Sequence, residues 1–172
     1  DVTARVAKAM GGSAQESANL AANLIKGLGK TAPQIQSFAE NMMNFATNSG
    51  VNARRLMRDI SNDSNLTAIY LGRGETYLKN TAVFAAKMGK SMADITATAD
   101  AFNTIEGAAE ITGKLNQFFG GNLNALKMYN NYVKGDVLSS MNELNKLFSS
   151  PRGLMMIEKM PGHAKTLGAE IG

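Results

Sequence analysis

The chain has 172 residues, 44% hydrophobic and 19% charged, with a net charge of +4. That is enough for one domain with a core or for one segment of a longer protein, and it excludes a highly charged disordered chain. There is no cysteine, which excludes disulfides and cysteine-based zinc or thiol chemistry.

No run approaches the roughly 20 apolar residues needed to span a bilayer, and the N-terminus lacks a basic flank followed by an apolar run. The first residue is Asp1, so a piece of a larger protein is expected. Alanine supplies much of the apolar fraction and there are 17 glycines. Large apolar side chains are therefore scarce, and packing against other copies or another protein is expected.

Ser13-Ala14-Gln15-Glu16 is a capping box, in which the serine hydroxyl and the glutamate satisfy each other's backbone donors. It opens a helix to about Leu28, with Ala18, Ala21, Ala22, Ile25 and Leu28 at helical spacing. Thr31 to Pro33 starts the next, because proline near the first helical position gives up only an amide that had no partner. Ile35, Phe38, Ala39, Met42, Phe45 and Ala46 form the cleanest stripe, and Gly50 stops it.

Asn52 is placed to cap a helix through Ile60; after a break from Ser61 to Ser64, another runs to about Leu71. Tyr77, Thr81, Phe84 and Met88 share a face of the following helix, with Leu78, Ala82 and Ala85 beside them, and Gly89 ends it. Ser91-Met92-Ala93-Asp94 reads as a second cap, for a helix through about Asn103. Thr104 to Phe119 is predicted helical although Gly107 and Gly113 each cost about 1 kcal/mol relative to alanine.

Gly120-Gly121 is a turn with Asn122 as the next cap, and Leu123, Leu126, Tyr129 and Val133 form a stripe ending at Gly135. Asp136 caps a helix carrying Val137, Met141, Leu144 and Phe148, which Pro151 terminates. One short helix fits after Pro151, and the chain is expected to be loose beyond Pro161-Gly162.

No alternating strand pattern survives, so the fold class is all-α: short amphipathic helices joined by glycine turns. Residues 1–30 form an N-terminal helical segment, 31–150 a helical core and 151–172 a loose tail. The predicted core contains Phe38, Met42, Phe45, Ile60, Phe84, Met88, Phe102, Leu126, Met141, Leu144 and Phe148.

His163 is the single histidine and sits in a Pro-Gly-His-Ala segment with no nucleophile elbow anywhere, so a serine-type triad is not expected. A metal site built from several histidines is excluded. Asp59, Asp63, Asp94, Asp100, Glu106, Glu110 and Asp136 read as caps or exposed helix positions rather than a glycosidase pair, in a chain with no tryptophan platform. Gly72-Arg73-Gly74 and Phe119-Gly120-Gly121-Asn122 lack the lysine and Ser/Thr of a phosphate loop and are turns. Arg54, Arg55 and Arg58 read as a solvated helix face, with no specific nucleic-acid site. No catalytic group, cofactor or metal ligand is assigned.

The block from Phe45 to Asp136 carries a resemblance. Phe45-Ala46, Gly50-Val51 and Asp59-Ile60 are followed by Asn65, Ala68 and Tyr70; then come Ala82, Ala85, Ala86, Met88, Gly89, Ser91, Met92, Asp94 and Ile95. Phe102, Ile105 and Glu106, the stretch Leu115 to Leu126 and Gly135-Asp136 complete it. Together they resemble the characteristic segment of tail tape measure proteins of long-tailed contractile bacteriophages. The Phe118-Phe119-Gly120-Gly121 phrase departs from the Leu-Leu-Gly-Lys type usual there.

The resemblance implies a long helical protein made in the host cytoplasm. A few copies would lie in the lumen of the tail, setting its length and leaving ahead of the DNA, with transient contact to the host membrane. It implies as partners other copies of the chain, a trimer by analogy with tail symmetry, together with tail tube and baseplate hub proteins. The side chains expected to meet them are Val137, Met141, Leu144 and Phe148, with Met155, Met156 and Ile157. The competing classes are a membrane-active helical module, such as a toxin or effector domain, and a cell-wall-degrading tail domain.

Overall fold

The computed structural model describes Ala4 and residues 13–171, and is all-α, with no strand among the described residues. The expectations for residues 1–12 lie, Ala4 apart, outside the described residues. The chain divides into two compact units between Ala93 and Asp94, not at 30 or 150 as the sequence suggested.

The first unit contains α1 (Ala14–Leu28), α2 (Ala32–Asn48), α3 (Ala53–Asn62), α4 (Ser64–Gly72) and α5 (Glu75–Lys87). The division falls near the start of α6 (Met92–Asp100). The second contains α7 (Ile105–Phe119), α8 (Ala125–Val133), α9 (Val137–Phe148), α10 (Pro151–Lys159) and α11 (Pro161–Ile171).

Helix ends follow local chemistry closely. The Ser13 box is complete: the Glu16 amide donates to Ser13 Oγ at 3.2 Å and the Ser13 amide to Glu16 Oε2 at 2.7 Å. The Ser13 amide, and then the Arg58 guanidinium 2.9 Å away, hold the Glu16 carboxyl below the usual glutamate range. At Gly50 and Gly89 the backbone turns left-handed, with φ of 73° and 70°. The following amides then reach back five residues, Val51 to the Ala46 carbonyl at 3.0 Å and Lys90 to that of Ala85 at 2.9 Å. This geometry satisfies carbonyls that a helix end leaves open, and only glycine adopts it without steric cost.

Helix α3 is the hub of the first unit, packed on α1, α2, α4 and α5. Its Leu56, Met57 and Ile60 are buried while Arg54, Arg55 and Arg58 are exposed. Asp63 ends α3 and caps α4, accepting from the Leu66 amide at 2.9 Å. The expected break over 61–64 shrinks to that one residue, because Ser61 stays helical and bonds its hydroxyl to the Met57 carbonyl at 2.7 Å. Thr67 locks the junction by donating to the Ile60 carbonyl at 2.8 Å.

Several inward faces differ from the predicted stripes. Helix α1 buries Ser17, Leu20, Ala21 and Leu24, which share one face at helical spacing, and leaves Ile25 52% exposed on another. Helix α5 turns Leu78, Ala82 and Ala85 inward, so Met88 is exposed and Phe84 half-buried. Helix α8 starts at Ala125, capped by Asn124 and not Asn122, since Asn124 Oδ1 is the atom that meets the Lys127 amide, at 2.9 Å. It buries Met128, while Leu126 and Val133 face out. Of the predicted core, Phe38, Met42, Ile60, Phe102, Met141 and Leu144 are buried, Phe45 and Phe148 half-buried.

The predicted loose tail is two helices. Pro151 and Pro161 are first residues of α10 and α11, where a missing amide costs nothing, rather than terminators. Leu167 and Ile171 of α11 are buried.

Candidate functional site

In the second unit a cleft of about 490 Å³ lies where α7, α10 and α11 meet. Its construction starts at the end of α7, where adjacent aromatic rings must point to different sides. Phe119 is buried and meets Phe148 of α9 edge-on, ring centres 5.1 Å apart. Phe118 faces the cleft instead.

The corner between α9 and α10 fixes the second wall. Ser150 caps α10, accepting from the Gly153 amide at 2.9 Å while donating to the Leu147 carbonyl at 2.7 Å. Gly153 is buried so closely on the end of α9 that a Cβ there would stand 2.7 Å from the Phe148 carbonyl oxygen and closer still to that of Leu147. A glycine is required by this approach, and it aims Arg152 back across α7. The stem and guanidinium of Arg152 lie over Gly120, occupying the space a side chain there would need.

The third wall is α11. It places His163 in its first turn, stacked on Phe118 with ring centres 5.1 Å apart and planes inclined by 14°. Leu167 lies one turn on, and Met156 of α10 joins the lining. At the rim Lys114 is held between Glu110 and Glu170, 2.9 Å from each. Hydrogen bonding to Glu110 first, then to Glu170, raises the Lys114 ammonium above its ordinary pKa.

The expected partner-contact residues divide sharply. Val137, Met141 and Leu144 are buried within the chain, at 7%, 5% and 3% exposure, because α8 and α10 flank α9. Those three therefore offer no face to a partner in this arrangement, which corrects the expectation for α9. Phe148 is half-buried against Phe119. Met155 and Ile157 are exposed, and Met156 is half-buried in the cleft. Phe118, Arg152, Lys114 and Leu167 had not been singled out as site residues; reading Pro151 and Pro161 as helix starts would have brought Arg152 and His163 into first turns.

Four of the acidic residues weighed for catalysis have structural tasks. Asp59 Oδ2 accepts the Met92 amide at 2.8 Å, Asp63 and Asp136 cap α4 and α9, and Glu110 pairs with Lys114. Among the described residues no group of three or more His, Asp or Glu is arranged to hold a metal ion, and no helix is long and apolar enough to cross a membrane. No family model, no curated protein and no solved structure matches the chain.

Proposed function

We propose that the chain is a structural segment of a phage tail tape measure protein. In this reading it acts by length and assembly, without catalysis, in the lumen of the tail. The block from Phe45 to Asp136 carries the proposal, through its succession of short helices, glycine stops and side-chain caps. Supporting it, the quoted landmarks fall on helix boundaries: Gly50 and Gly89 follow α2 and α5, Met92 opens α6, and Gly135-Asp136 separates α8 from α9. The exposed Met155 and Ile157 suit contact with other copies or with tube and hub proteins.

The test is a set of in-frame internal deletions in the parent reading frame, with tail length measured by electron microscopy. Tails should shorten in proportion to the residues removed. Unchanged length rejects the tape measure reading, and loss of turbidity from cell-wall suspensions treated with the isolated chain rejects the non-catalytic one. Leakage from liposomes would favour the membrane-active alternative.

A further inference from the structure

We propose that the cleft between α7, α10 and α11 is a docking site for an acidic amphipathic segment of a partner protein: an apolar side chain enters between Phe118, Met156 and Leu167 while a neighbouring carboxylate pairs with Arg152. This inference goes beyond the tail reading and does not depend on it.

Charge complementarity selects the occupant. Lys114 already has two carboxylates, Glu110 and Glu170. Arg152 has none within ion-pair distance among the described residues. The stem of Arg152 rests across Gly120, whose left-handed backbone, with φ of 69°, favours glycine and leaves room for it. Its guanidinium is thus presented at the mouth of an apolar cleft with part of its ordering cost already met by the fold. A planar fork of donors suits a carboxylate, which it can bind through two parallel hydrogen bonds.

Size and shape narrow the occupant further. About 490 Å³ falls within the range of small ligand sites and accommodates one or two side chains. The floor is apolar, and the Phe118–His163 stack gives it a flat aromatic wall. A membrane surface would call for a convex basic face, whereas here the arginine stands beside a concavity whose rim also carries Glu170. An apolar anchor with an adjacent carboxylate, repeated at helical spacing, satisfies both parts of the site.

The full 172-residue chain is titrated with an acetylated peptide of about 12 residues carrying leucines at helical spacing and glutamates beside them. Binding is followed by NMR signals of Phe118, Met156 and His163. The peptide should saturate these signals, and its lysine-for-glutamate counterpart should bind at least about tenfold more weakly. Arg152→Gln should weaken the glutamate peptide by about the same factor, with the Phe38 signals unchanged as a check on folding. Arg152→Glu should exchange the preference, so that the lysine peptide binds better. No saturable shift, equal binding of the two peptides, or indifference to both substitutions overturns the proposal. So does a response to phosphatidylglycerol vesicles without one to the peptide.

Discussion

The two units treat buried polar groups and exposed apolar ones differently. In the first, the hydroxyls of Ser17, Ser61, Thr67 and Thr81 are all buried and all donate to backbone carbonyls. In the second, Thr112 does the same, but the Ser140 hydroxyl and the Asn131 side-chain nitrogen are buried without a hydrogen-bond partner among the described residues. Among the described residues the first unit exposes Ile25, Ile69 and Met88, whereas the second exposes Ile105, Leu126, Val133, Leu154, Met155, Ile157 and Met160. The first has a central helix, α3, with neighbours on several sides. In the second, α10 packs on α7, α9 and α11 but buries only Gly153. By both measures the second unit is the less completely packed of the two.

The sharpest way to break that contrast is truncation. Phe38 is 2% exposed in the first unit, and Phe38→Ala should cost about 3–5 kcal/mol in urea denaturation. Leu154, 58% exposed in the second, should lose far less on truncation to alanine. Equal losses would mean that the second unit is covered after all, by self-association detectable as a concentration-dependent midpoint.

A smaller effect is expected at the α9–α10 corner. Gly153→Ala drives a methyl into the Leu147 and Phe148 carbonyls and should cost about 1–3 kcal/mol. It should also shift the NMR signals of Arg152 and His163. A neutral substitution would show that α10 is free to move off the end of α9.

The last pair should move stability in opposite directions. Thr67→Val removes the donor to the buried Ile60 carbonyl and should destabilise by about 1–2 kcal/mol. Ser140→Ala removes a hydroxyl that has no hydrogen-bond partner among the described residues and should be neutral or stabilising by up to about 1 kcal/mol. A clear loss at Ser140→Ala would mean that its hydroxyl is bonded to water.

What could be read from the sequence was local. The boxes and caps at Ser13, Asn52 and Asp136 and the left-handed stops at Gly50, Gly89 and Gly135 depend on a few adjacent residues, and all recur in the structure. Helix orientation was less legible, because α1 and α8 carry apolar residues on more than one face; Leu126 against Met128 is decided by neighbours, not by period. The cleft was illegible for a stronger reason. Lys114 and Glu170 are 56 positions apart, and only the packing of α11 on α7 brings them together. The prolines misled because the same residue both stops a helix and starts one, and α10 and α11 begin on theirs.

The glycine-punctuated succession of short helices also fixes how much length the chain can release. A helical residue advances the backbone by about 1.5 Å and an extended one by about 3.3–3.6 Å. Drawn out by its ends, the 17-residue α2 would lengthen from about 26 Å to nearly 60 Å. Because a turn or cap interrupts the ladder at both ends of α2, that extension need not spread along one continuous helix. Under tension such a chain has the means to yield in steps, one helix at a time, and each step more than doubles the reach of the piece that gives way.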